Sequence, residues 1–224
     1  KNGFVTMAHP DFGGGRNFDN MRDLVNYEFT EVLNHYRISD EYWDAALSAG
    51  RLTMIIANDD THDIVNEPTF RIWNVIHSAT KQADSLLHAM KRGASYGVWS
   101  LNQEWDNTLV SLEKTNANSF QVKLKVPADS ILFFGQDGIV LQKVENTNTA
   151  NYSFSTEDTY VRTVAYNKNS HLYLNPLLRY DGKKVPYNAD VESEENSLMT
   201  WLARAGFFLL SLTLLLFLIK IIRR

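Results

Sequence analysis

Leu52-Thr53-Met54-Ile55-Ile56-Ala57-Asn58-Asp59-Asp60-Thr61-His62-Asp63 is half apolar run and half polar cluster. Residues 52–57 have the length and continuity of a strand, and the Asn, Asp and His that follow mark where it stops. Immediately upstream, Ser39 can cap a helix, Asp40 and Glu41 favour its positive end, and Gly50 ends it. Trp43, Ala46 and Leu47 share one face of that helix. Before it, Phe29 to Leu33 is a second candidate strand. Phe4 to Ala8 is a third, apolar enough for a parallel strand buried on both faces. Downstream, Ala83, Leu86, Leu87 and Met90 mark another helix, with Lys91 and Arg92 in its last turn and Gly93 at its end. This strand–helix alternation over residues 1–100 predicts an α/β segment, part of a (β/α) barrel or parallel sheet.

Residues 101–182 have a different rhythm. Phe120, Val122, Leu124 and Val126 alternate with polar residues. Ile131–Phe134 and Ile139–Val144 flank Gly135-Gln136-Asp137-Gly138, a hairpin loop. Tyr160–Tyr166 and His171–Leu174 continue the pattern, and Pro127 and Pro176 are read as strand ends. The expectation is an antiparallel β-sandwich. Residues 183–197 are polar and acidic and read as a juxtamembrane linker, and residues 198–224 as a membrane anchor.

The anchor reading rests on Trp201 to Ile222, interrupted only by Arg204 and Lys220. At helical rise that run spans roughly 33 Å, enough to cross a hydrocarbon core. Lys220, Arg223 and Arg224 follow it, whereas Asp190, Glu192, Glu194 and Glu195 precede it. The positive-inside bias predicts a single-pass protein with its C-terminus in the cytoplasm and its remainder outside.

The 224 residues carry a net charge of −4, which gives no basic field for nucleic acid. The lack of cysteine excludes disulfides, thiolate metal sites and a cysteine nucleophile. The chain opens at Lys1 and enters a strand almost at once, which reads as a processed or partial chain.

Residues with chemical potential stand at the ends of the candidate strands. The first runs into His9-Pro10 and the third into Asn58–Asp63. Ligands of parallel α/β folds gather at carboxyl ends of strands. His9, Asp60 and His62 could converge there, and two imidazoles with a carboxylate suit Zn, Mn or Fe. On an exposed loop the same D-x-H spacing is merely solvated. Arg16, after Gly13-Gly14-Gly15, could meet a phosphate or be a surface arginine.

Several segments resemble the PHP family, the polymerase and histidinol phosphatase superfamily. FVTMAHP (4–10) resembles its "HP" strand end, and IIANDDTHD (55–63) its final D-x-H motif. TEVLNHY (30–36), YWDAALSAGRL (42–52) and LLHAMKRGASYGV (86–98) fit the intervening and following segments. FFGQDGIVLQKV (133–144), TYVRTVAY (159–166) and YLNPLLRYDG (173–182) resemble a β-sandwich appended to some members. The resemblance implies a distorted (β/α) barrel that holds two or three divalent metals and hydrolyses phosphoesters. His9, Asp60 and His62 would be metal ligands, and Asp59 would orient one of them from behind. The family's H-x-H pair, bridging Glu and further His ligands have no counterpart in this sequence and would precede Lys1.

Three functions follow as expectations. The first is a membrane-anchored metal-dependent phosphoesterase. The second is a catalytically inactive accessory or structural subunit, whose partners are the bilayer and other subunits of a membrane complex. The third is a binding module in which residues 101–182 recognise a glycan or a protein.

Overall fold

The computed structural model describes residues 4–13, 17–67, 69–179 and 196–222. Arg16 and the linker residues 183–195 lie outside them. The chain divides into two compact units, Lys1–Asp190 and Val191–Arg224.

The first unit opens with strand β1 (Thr6–Met7), helix α1 (Phe18–Asp23), strand β2 (Phe29–Asn34) and strand β3 (Arg37–Ile38). Helix α2 (Asp40–Ser48) and strand β4 (Met54–Asn58) follow. β1 and β4 pair with β2 in parallel, while β3 folds back on β2 antiparallel. The β2–α2–β4 crossover is the parallel unit that the sequence predicts. Trp43, Ala46 and Leu47 are fully buried, and the Trp43 indole N–H donates to the Thr53 carbonyl at 2.9 Å, locking α2 against β4. Ser39 stands at the N-cap without capping through its side chain; its hydroxyl instead accepts from the Asp11 amide at 3.4 Å.

The expected barrel does not form. Strand β5 (Ile72–Ile76), helix α3 (Ala83–Lys91) and strand β6 (Ser95–Ser100) look like the next strand–helix–strand repeat, but β5 and β6 pair antiparallel, with Ile76 opposite Ser95. The chain leaves β5 and re-enters β6 at the same end, so α3 caps a hairpin rather than crossing the sheet. Only Ala89 of α3 is buried, too little for a crossover helix covering a parallel sheet. β1 is likewise not buried on both faces, since Val5 beside it is half exposed.

β5 and β6 belong to a second, eight-stranded sheet. It continues with β7 (Leu109–Asn116), β8 (Ser119–Phe134), β9 (Val140–Ser153), β10 (Tyr160–Tyr166), β11 (Ser170–Leu174) and β12 (Leu177–Leu178). Its main path runs β5-β6-β11-β10-β8-β7, with β9 on β8 and β12 on β10. The protein is therefore a small mixed sheet against one curled half-barrel sheet, in place of a barrel followed by a sandwich. β8 explains the difference. Its first half pairs with β7 and β9, its second half with β9 and β10, and its register slips between Lys123 and Ala128. Pro127 sits in that irregularity, where its missing N–H costs no ladder bond, and not at a strand end.

One core fills the curl: Phe120, Val122, Leu124, Ile131 and Phe133 of β8 meet Tyr96, Val98, Tyr152, Leu172 and Leu174. A second lies between the sheets, where Val32, Leu33, Ile55 and Ala57 meet Ile72, Phe134, Tyr160, Val164 and Tyr173. β6 crosses so closely there that a Cβ on Gly97 would lie 2.9 Å from Ile55 Cδ1 and 3.0 Å from Leu33 Cδ1. Beside this contact Arg162 and Asp44 form a buried bidentate pair. Arg162 Nε donates to Asp44 Oδ1 at 2.6 Å, Nη2 donates to Oδ2, and the Tyr160 hydroxyl donates to Oδ1 at 2.9 Å. The guanidinium also lies 4.2 Å from the Phe134 ring centroid.

The described part of the second unit is one helix, α4 (Ser197–Ile222), long and apolar enough to cross a membrane, with none of its side chains buried in protein. Its apolar character continues around the whole circumference, as lipid contact requires.

Candidate functional site

The carboxyl ends of β1, β2 and β4 point the same way because the three strands are parallel. An open cleft lies there, lined by His9 and Phe12 after β1, by Asn34, Tyr36 and Arg37 at the β2–β3 turn, and by Asp60, His62 and Glu67 after β4. His9, Asp60 and His62, read from the sequence as ligands, thus line one cavity.

Glu31 organises the cleft from beneath. It is buried in β2, and its Oε2 accepts the His9 amide at 2.7 Å. Its Oε1 accepts Asn34 Nδ2 at 2.6 Å and Asn58 Nδ2 at 3.0 Å. Asn34 passes the connection on, donating to Asp60 Oδ2 at 3.0 Å, and Asn58 Oδ1 accepts the Asp60 amide at 2.8 Å. One carboxylate therefore ties three strand ends together. Two residues that it positions have left-handed backbones: His9 at φ 29° and Asp60 at φ 50°. Such conformations cost free energy in non-glycine residues and persist where the surroundings impose them, most often at functional sites.

The His62 Nδ1 lies 2.7 Å from the Asp60 carbonyl oxygen. A carbonyl only accepts, so Nδ1 donates in that bond, which leaves Nε2 as the nitrogen that could meet a metal. The loop is steadied by Glu67, whose carboxylate accepts the His62 amide at 2.7 Å and the Tyr36 hydroxyl at 3.2 Å. The His62 amide bond is the first cause holding the Glu67 carboxyl below its ordinary range.

Arg37 brings the cation. Its guanidinium rests 4.8 Å from the Phe12 ring centroid, and Nη1 donates to the Asp11 carbonyl at 2.6 Å. Among the described residues no carboxylate lies within ion-pair distance of it. Asp59 has a different task from the one expected. Its carboxylate accepts the amides of Phe70, Arg71 and Ile72, the last two at 2.9 and 2.8 Å, and so anchors the start of β5. His35 meets the Tyr36 ring edge-on, outside the cleft lining.

The donor types fit a divalent cation. Their spacing is incomplete, because among the described residues no three His, Asp or Glu side chains gather closely enough to hold one ion. Sequence reasoning missed Asn34, Asn58 and Arg37. The two asparagines face each other across the β2–β4 register, a pairing that local sequence does not reveal.

No protein-family model matches the chain, and no curated relative matches its sequence.

Proposed function

We propose that the cleft at the ends of β1, β2 and β4 is a divalent-metal phosphoester-hydrolysing site of the kind that the PHP resemblance implies, carried on a membrane anchor. The observation that supports this best is the Glu31 network, which orients His9 and Asp60 in strained backbones on either side of one cleft. His9, Asp60 and His62 would hold the ion through imidazole nitrogens and a carboxylate oxygen, the remaining positions going to water and phosphate oxygens. A metal there supplies Lewis-acid polarisation and an acidified water. The chain's own residues bind and orient. Arg37, with no ion-paired carboxylate among the described residues, offers a planar fork to a phosphate's non-bridging oxygens. Phe12 fixes the plane of that fork, and Glu67 holds the His62 loop against the cleft.

The supporting experiment is hydrolysis of p-nitrophenyl phosphate by full-length protein in lipid nanodiscs supplied with Mn²⁺ or Zn²⁺. Asp60→Asn and His62→Ala each abolish metal-dependent turnover under this reading, while Arg37→Gln raises KM more than it lowers kcat. Turnover unchanged in all three variants contradicts it.

We infer that α4, long and apolar enough to cross a membrane, anchors a single-pass protein with its C-terminus in the cytoplasm, a reading supported by Lys220, Arg223 and Arg224 through the positive-inside bias. A second reading, an inactive accessory subunit of a membrane complex, is favoured by the lack of a gathered three-ligand set among the described residues. It requires stoichiometric partners on purification and no metal-dependent turnover.

A further inference from the structure

The loop between β4 and β5 sends three large apolar side chains into the open. Ile64, Val65 and Phe70 are 82, 84 and 75% exposed, more than any other large apolar side chain described outside α4. His62 and Glu67 of the same loop line the cleft. Scattered apolar residues on a surface need no explanation, but three on one short loop mark a place of contact.

The loop satisfies its own backbone. The Glu67 carboxylate accepts the His62 and Asp63 amides at 2.7 and 3.3 Å, and Asp63 Oδ1 accepts those of Val65 and Asn66 at 2.9 and 3.2 Å. The Glu67 amide donates to the Asp63 carbonyl at 2.9 Å, and Asp59 takes the Phe70 amide. These N–H groups do not depend on water, which is the condition that entry into lipid sets. Phe70 is also held at φ 59°, a left-handed backbone that costs free energy in a bulky residue and here leaves an aromatic ring exposed.

We propose that this loop dips into the surface of a bilayer, with Ile64, Val65 and Phe70 entering the boundary between headgroups and acyl chains. The inference rests on reading α4 as a membrane anchor. Residues 180–195 follow Arg179 and precede the α4 segment. That stretch spans roughly 60 Å at full extension, so a bilayer that holds α4 stays within reach at high local concentration. Charge narrows the kind of surface. The Asn66 side-chain amide is the first cause holding the Asp63 carboxyl below its ordinary range, as the His62 amide is for Glu67. Two carboxylates beside the apolar tip keep the insertion shallow and favour zwitterionic over anionic headgroups.

The chain has no cysteine, so one introduced thiol carries a nitroxide at a single place. Val65→Cys, Phe70→Cys and, within α4, Leu214→Cys are labelled separately in full-length protein in phosphatidylcholine nanodiscs. Spin-resonance saturation compares collision with oxygen, which concentrates in lipid, and with a water-soluble nickel chelate. Oxygen collision is expected to exceed nickel collision at Val65 and Phe70, at a depth of about 5–10 Å into the headgroup–acyl boundary. Two labelled sites keep the test decisive if one substitution disturbs the loop. Full nickel access at both loop sites, with Leu214 in lipid, overturns the loop contact alone. Low collision with both reagents at the loop sites means cover by protein, in this preparation a second copy of the chain, and overturns it too. Nickel access at Leu214 as well removes the anchor reading and the loop contact with it.

Discussion

Glu31 accepts three N–H groups that come from three strand ends, so its negative charge is matched by geometry more than by a counter-ion. In Glu31→Gln one oxygen becomes a donor facing other donors. The expected cost is about 1–3 kcal/mol of stability, together with about 10–100-fold weaker metal binding, read by denaturant unfolding and calorimetric titration. Unchanged values for both contradict the positioning role. Gly97 is a second single-residue test. Gly97→Ala places a methyl against Ile55, Leu33 and Ala57, and should cost about 1–3 kcal/mol through forced separation of the sheets. His171 supplies a pH test. Burial lowers its pKa, opposed by Asp106 and Asp129, and its ring stacks on Trp99 at 5.0 Å. A base whose folded pKa lies below its unfolded value takes up protons on unfolding, so stability should fall as pH drops through about 6.5 and below. His171→Gln should flatten that part of the stability–pH curve, and an unaltered slope contradicts the assignment. At this scale much was legible: His9, Asp60 and His62 stand out as chemistry-bearing residues after apolar runs. Asn34, Asn58 and Arg37 did not, because their roles depend on strand register and on a turn that local sequence leaves open.

The elements β2, α2 and β4 were legible because each carries its own signals: apolar runs, a helical stripe and Gly50, which ends α2 with φ 79°. Strand direction carries no such local signal. The β5–α3–β6 segment reads like a crossover, and only its pairing, Ile76 opposite Ser95, reveals a hairpin. Pro127 misled for a related reason. A proline marks an irregularity, and a 16-residue strand that changes partners midway accommodates one at its bend. Between elements, the Arg162–Asp44 pair joins α2 to β10, both side chains at 4% exposure or less. Asp44→Ala leaves the buried guanidinium with only the partly exposed Asp40 carboxylate, 3.9 Å away, and should cost about 3–5 kcal/mol. Asp44→Leu combined with Arg162→Met should recover most of that loss in the same unfolding measurement. A double variant as unstable as Asp44→Ala contradicts the reading that most of the Asp44→Ala loss comes from stranding a buried charge.

For the whole molecule, a small mixed sheet carries the cleft, a curled antiparallel sheet packs against it, and an apolar helix suits membrane anchoring. The central claim is that the cleft holds a divalent metal. The most direct measurement is elemental analysis of full-length protein isolated from its membrane, alongside Asp60→Ala made the same way. The account expects at least one Zn, Mn or Fe per chain in the wild type, and a loss of most of it in the variant. A ratio near zero in the wild type that persists after metal is supplied contradicts the account and leaves the accessory-subunit reading.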